Sequence, residues 1–256
     1  MAVFCPHTVL GGGLHDLEDG WIVPLPLVGD LLGYQTVTKG KARAKLNKWF
    51  SVGQSRLFGM EELPLYRVAA GVSQGFCQFA LAWQRLGSEL YCEDQLRVRA
   101  LLGGRWRLIV IGGTDFQKIP NETGHEQAVV ELGVICPSRD KVFIQAVWPL
   151  LPPPSWQGGR SQRRWLCVAG RLDGARWALA VDRDGSGVPS FQVETIVKVA
   201  GGLAWGLRSE PTTGSIGMTT CWLWSHLLLR TSHVVHPDLG VTHRWSLTWG
   251  NLLEIW

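Results

Sequence analysis

The chain writes one phrase twice. Leu, any residue, Gly, any residue, Arg-Trp, any residue, Leu, any residue, Val runs from Leu101 to Val110 and again from Leu172 to Val181. In the first copy Trp106, Leu108 and Val110 alternate with Arg107 and Ile109. In the second, Trp177, Leu179 and Val181 alternate with two alanines. A period of two puts the bulky set on one face of a strand, and the preceding Gly-bearing stretches LLGGRW and LDGARW read as tight hairpin turns. The Arg-Trp pair returns at Arg244-Trp245, and a weaker relative stands at Lys48-Trp49-Phe50.

Three further columns precede each Arg-Trp stretch in a constant order. The first is VLGGGL from residue 9, VAAGV from 68, VELGV from 130 and VAGGL from 199. The second is WIVPLPL, FCQFALAW, FIQAVW and MTTCWLW. The third, looser, is YQTV, LRVRALL, WLCVAGRL and HLLLRT. Each is short, rich in Val, Leu, Phe and Trp, and bounded by Gly, Pro, Asp or Ser, so each reads as a strand. Long helical periodicity is absent; KARAKLNKWF at 41–50 comes nearest.

Four aligned columns taken four times predict an all-β chain of four-stranded antiparallel units. The expected architecture is a four-bladed β-propeller, a single repeat domain over 1–256. Its blades fall near 8–53, 66–112, 128–182 and 196–250, with 251–256 as a closing strand. Two β-barrels, tandem small barrels or a β-sandwich would use the same strands. The propeller requires Trp106, Trp177 and Trp245 to be equivalent under one rotation.

Composition bounds the function. At 46% hydrophobic and 18% charged residues the chain is too apolar for disorder. A net charge of +4 is too mild to point to nucleic acid. The N-terminus lacks a signal-peptide pattern and no apolar run approaches about 18 residues, so the expected location is intracellular and non-membrane. Six scattered cysteines without a C-x-x-C pair suggest buried thiols. The sequon at Asn121-Glu122-Thr123 means nothing without secretion.

Motifs for chemistry are weak. Ser186 lies in DRDGSGVP, which is not the Gly-x-Ser-x-Gly elbow, and His15 with Asp16 or Asp19 is one of several arbitrary partner sets. Asp182 and Asp184 lack the further oxygens of a calcium loop. His233-x-x-His236 followed by Asp238 is too small a set for a metal. LGGGLHD and IGGTD lead to no phosphate-loop Lys, and KGKARAK at 39–45 reads as a solvated segment.

The best candidate is the longest loop, PLLPPPSWQGGRSQRRW at 149–165. Its Trp156, Arg160, Arg163 and Arg164 would form a binding face on the rigid scaffold, with Trp156 more exposed than the blade tryptophans. The expected function is a non-enzymatic binding or assembly protein with a protein partner or self-assembly. A glycan-binding lectin and a hydrolase are the alternatives. No cofactor and no metal are expected.

Overall fold

The computed structural model describes residues 47–250, apart from 61–63, 75–76, 88–91, 104–105, 119–123, 140–141, 152–163, 173–174 and 184–188. Fourteen strands account for nearly all of it: β1 (Asn47–Arg56), β2 (Pro64–Gln74), β3 (Cys77–Gly87), β4 (Cys92–Leu102), β5 (Arg107–Lys118), β6 (His125–Arg139), β7 (Val142–Pro149), β8 (Arg164–Leu172), β9 (Ala175–Arg183), β10 (Pro189–Ala200), β11 (Leu203–Glu210), β12 (Ser215–Trp224), β13 (Leu227–His236) and β14 (Gly240–Gly250). Every strand pairs antiparallel with its neighbour in sequence. β14 then pairs with β1, from Trp49 opposite Gly250 to Arg56 opposite His243. The sheet is one closed barrel, and a closed barrel has no edge to protect.

All-β is therefore right, and the four-bladed propeller is wrong. The columns are real strands, but they belong to one continuous meander. Two groups of four fit the expected period: VAAGV, CQFALAW, LRVRALL and the stretch that follows Trp106 fall on β2 to β5, and their relatives fall on β6 to β9. The last group breaks it. VAGGL, at 199–203, is no single strand: it ends β10, turns at Gly201-Gly202 with Gly201 at φ +46°, and opens β11. Five strands occupy the place of four. The two β-barrels and the sandwich fail for the same reason, since hydrogen bonding continues around the whole ring. Closure comes from β1 against β14; residues 251–256 and the first expected strands at 8–46 lie outside the described residues.

The two ends differ. Strands are joined at one end by 75–76, 103–106, 140–141, 173–174, 201–202 and 225–226. At the other end the joins are 57–63, 88–91, 119–124, 150–163, 184–188, 211–214 and 237–239. Short turns thus gather at one end and the longer connections at the other, the arrangement known in barrels that cross membranes. Asn47 and Gly250 both lie at the short-turn end.

Alternation sorts the side chains in an unusual direction. On β12, Ile216, Met218, Trp222 and Trp224 are exposed outward, while Ser215, Gly217, Thr219 and Cys221 are buried inward. On β14, Trp245 and Trp249 face out, and Thr242, Arg244 and Ser246 are buried inside. The buried residues of the barrel include Arg67, Gln84, Gln95, Arg97, Arg107, Gln145 and Glu194. Soluble proteins bury apolar side chains and expose polar ones; this barrel does the reverse. Its strands of about ten residues, tilted about 35–45°, cross roughly 25 Å.

Apolar residues do line part of the interior. Leu101, Ile109, Ile111, Ile135, Val147, Cys167, Ala169, Ala178 and Ala180 form one cluster, and Ile196, Ala204, Cys221 and Leu228 another. All of these lie within five residues of the short-turn end of their strands. A third cluster, Leu57, Leu65 and Leu86, sits at the opposite mouth, where a single helical turn at Leu57–Gly59 is tucked in.

Candidate functional site: the polar interior and the apolar wall

Each interior charge comes from a strand whose flanking residues face out. Arg67 stands between Tyr66 and Val68, Arg97 between Leu96 and Val98, Arg230 between Leu229 and Thr231, and Arg244 between His243 and Trp245. The outward neighbours hold the strand in its pleat, and the arginine then has no direction but inward.

Inside, the charges meet carboxylates. Arg97 forms an ion pair with Asp115 and also donates from Nη1 to the carbonyl oxygens of Leu96 (3.2 Å) and Thr114 (3.1 Å). Gly113, opposite Arg97, keeps that space open, because a Cβ there would strike the Leu96 carbonyl oxygen. Arg230 Nη2 lies 3.1 Å from Glu194 Oε1 although two strands separate β13 from β10. The pair crosses above Gly206, Thr219 and Cys221, the small inward residues of β11 and β12. Arg208 stands 3.9 Å from Glu210, whose Oε1 accepts a hydrogen bond from Ser190 Oγ at 2.9 Å. Amides extend the network: Gln84 Nε2 donates to Gln95 Oε1, and Gln117 Nε2 donates to Glu93 Oε1 at 3.3 Å.

The mouth at the long-connection end has its own set. His236 Nδ1 lies 2.8 Å from Ser215 Oγ, and its ring meets Phe58 edge-on at 5.0 Å. Phe58 sits in the left-handed region, at φ +51°, and its N–H donates to Thr242 Oγ1 at 3.2 Å. A bulky residue held in that conformation is costly, so the contacts to Thr242 and His236 hold it in place.

Outside, aromatic side chains mark both margins. Phe50, Phe79, Trp106, Trp205, Trp222, Trp224 and Trp249 are exposed, and each lies within three residues of the short-turn end of a strand. Trp177 joins them half-buried, its indole lying against Gly170. Tyr66, Phe116, Trp148 and Phe191 lie equally close to the other end. Between the two belts the exposed residues include Leu81, Val98, Leu166, Leu179, Val193, Leu207, Met218 and Trp245, none of them charged. Among the described residues, the charged and imidazole side chains that face outward lie toward the margins: Lys48 at one, and Arg56, Arg85, Asp94, Lys118, Glu126, His233 and His243 toward the other.

The tryptophans anticipated as equivalent are not. Trp106 and Trp177 share the short-turn belt, which explains the repeated phrase: both follow a turn into a strand that rises from that margin. Trp245 lies midway along β14, and Trp49 faces the interior over Gly71. The proposed binding residues Trp156, Arg160 and Arg163 lie outside the described residues. Arg164 is the first residue of β8. Ser186, Asp184, His15, Asp16, Asp19, the basic run 39–45 and the sequon also lie outside them.

The His233–His236 pair is split between faces. His236 turns in, whereas His233 turns out to meet His243, Nδ1 to Nδ1 at 2.7 Å. Three residues along a strand reverse the face, so the spacing could not have chelated a metal. Among the described residues no group of three or more metal-ligating side chains occurs. Cys92, Cys167 and Cys221 are buried thiols, and Cys77 is exposed; none of the described cysteines is in a disulfide. The interior arginines were missed, although a lone Arg between two apolar residues in a strand was a readable signal.

No family model and no curated protein matches the chain in sequence. Among solved structures it is similar to the outer membrane protein Omp33 of Acinetobacter baumannii, with a TM-score of 0.51 and 7% identity over 80% of this chain and 97% of that one. Two mutants of the Rh. blastica porin match over 80% of this chain and 99% of theirs, with TM-scores of 0.46 and 0.47 and identities of 7% and 8%. The likeness to Omp33 supports the fold.

Two functional expectations fall with the propeller. A binding or assembly scaffold that shows a loop face to a protein partner does not stand, nor does its lectin alternative. They presumed a soluble repeat scaffold, and the chain is a single closed barrel with an inverted surface, like an outer membrane protein. The absence of a membrane span rested on the lack of a long apolar run. No described helix could cross a membrane, but β-barrels cross with alternating strands. The intracellular, non-membrane location fails on the same ground.

Proposed function

We propose that this chain is an outer-membrane-type β-barrel whose polar interior passes small ions and polar solutes. One observation carries the reading: charged and amide side chains are buried inside a closed barrel while Leu, Val, Ile and Trp cover its outside. In water the outer wall would be an aggregation hazard, since apolar patches on soluble monomers rarely exceed a few hundred Å². In a bilayer it is the required surface, and closure satisfies every backbone group that lipid cannot. The two aromatic belts fit the two lipid–water interfaces.

The interior side chains crowd one another, with Arg67 only 8% and Arg107 only 3% exposed. The passage is accordingly narrow and suited to small solutes. On this reading the chain is a conduit and not an enzyme.

The test is refolding into lipid vesicles followed by planar-bilayer recording. Discrete conductance steps from barrel-folded protein are expected. Protein that folds in water and stays out of vesicles overturns the membrane reading. Protein that inserts as a folded barrel and carries no current overturns the channel.

A further inference from the structure

We infer that His233 and His243 form a seat for a copper(II) ion on the outer face of the barrel. The two stand directly opposite each other on β13 and β14. Their Nδ1 atoms lie 2.7 Å apart, with ring centroids at 5.0 Å and planes at 75°. The seat belongs to the outer rim, so it stands whether or not the barrel conducts.

Two imidazoles that meet Nδ1 to Nδ1 share one proton: one ring donates and the other accepts. A metal ion takes both lone pairs at once. The donor ring then carries its proton on Nε2, an exchange through water that releases no net proton. The Cβ–Cγ torsion of histidine is broad, so both lone pairs can swing to a common point outside the wall at little cost.

The spacing selects the metal. With metal–nitrogen bonds of about 2.0 Å, a pair held at 90° keeps its nitrogens about 2.8 Å apart, and a tetrahedral pair about 3.3 Å. The observed 2.7 Å is close to the first and well short of the second. Square-planar coordination by nitrogen and oxygen suits copper(II) and nickel(II), and copper leads the affinity order. Among the described residues no third His, Cys, Asp or Glu joins the pair, so water oxygens complete the plane. Both histidines are exposed, and each lies three residues from the long-connection end of its strand, where water reaches them. Two side chains flank them in the same outward row. Met218, opposite His233, is neutral; Arg56, opposite His243, is a cation and lowers the affinity. The seat is therefore an exchangeable one and not a structural cage.

The experiment is titration of the full chain, folded in vesicles, with copper(II) sulfate and separately with zinc sulfate. Electron paramagnetic resonance reads the copper ligands, and urea titration reads stability. The expected result is one copper(II) per chain with a two-nitrogen hyperfine pattern, and weaker binding of zinc. His233→Gln and His243→Gln should each weaken copper binding by about 100-fold or more, since losing a ligand exceeds the loss from changing a ligand's own partner. Copper should also raise the urea midpoint of the wild type, by tying β13 to β14 in the folded state alone, and leave that of either variant where it was. His226→Gln, in the turn at the opposite end of the barrel, should change neither reading. Copper held as tightly by the two variants as by the wild type, or a one-nitrogen signal from the wild type, overturns the seat. Zinc held more tightly than copper overturns the choice of metal. If one variant fails to fold, the other decides.

Discussion

β4 carries two opposite surfaces one residue apart. Arg97 and Arg99 face the interior, and Val98 between them is 49% exposed on the outer wall, flanked on its own face by Leu96 and Ala100. The interior accepts charge because other side chains and backbone carbonyls receive it: Asp115, the Leu96 carbonyl and the Thr114 carbonyl all serve Arg97. The wall offers Val98 only Leu81 and Gly112 as cross-strand neighbours. Identical backbone, identical pairing and adjacent positions therefore impose opposite chemistry. The cause is what lies beyond the side chain, not strand propensity.

The strongest way to break that contrast is to place on the wall what the interior already holds. Val98→Arg should destabilise the bilayer-folded barrel by about 2–4 kcal/mol, the range for a basic side chain near the membrane midplane. Arg99→Gln, next to it on the inner face, should cost clearly less. Urea titration of vesicle-folded protein measures both. If Val98→Arg folds as readily as the wild type, the wall does not meet lipid, and the membrane reading goes with it.

A second substitution sharpens the contrast from inside. Glu194 is 6% exposed and meets Arg230 across two intervening strands. Glu194→Gln keeps the shape and removes the charge, with an expected loss of about 1–3 kcal/mol for a charge-assisted hydrogen bond. Adding Arg230→Gln should cost less than the sum of the two single changes, because a contacting pair couples. Strict additivity would falsify the bridge. The effect should stay below that of Val98→Arg, since the interior leaves the remaining arginine other polar groups and the wall leaves an added one none.

Much of this architecture was legible in the sequence, but not its sense. The strands were, because Trp106-Arg107-Leu108-Ile109-Val110 and its relatives alternate with period two. The direction was not, because alternation looks the same whether the apolar set faces a core or a bilayer. Arg107 held the clue: an arginine among Trp106, Leu108 and Ile109 suits a polar interior better than a propeller blade. The four-by-four grouping arose from composition. The joins before β5 and β9 both pair a Gly-bearing turn with an aromatic residue at the short-turn margin, so LLGGRW and LDGARW look alike. VAGGL puts the same Gly-bearing turn between two strands, at Gly201-Gly202. The interior site was unreadable as a site, since Arg67 is far in sequence from the β13–β14 hairpin that carries Arg230 and Arg244, and meets it only when β14 closes on β1.

The smallest expected effect distinguishes faces most finely. Trp49 and Trp249 are neighbours across the β1–β14 seam, Trp49 standing opposite Gly250 and Phe50 opposite Trp249. Trp49 points inward, and its indole lies against Gly71, where even a methyl group would have to displace the ring. Trp249 is 59% exposed on the outer wall. In variants retaining only one of the two, with the remaining tryptophans replaced by phenylalanine, brominated lipid should quench Trp249 strongly and Trp49 weakly. Trp49→Phe or Trp249→Phe made singly should alter stability by no more than about 1.5 kcal/mol, the usual limit for one swap that nearly conserves volume. Gly71→Ala supplies the complementary probe, shifting Trp49 emission and leaving Trp249 alone. Strong lipid quenching of Trp49 would mean that β1 is slipped by one residue. That slip would turn Ser51, Gly53 and Ser55 to lipid and Phe50 and Val52 to the interior, and with them would go the polar seam between Arg67 and Arg244.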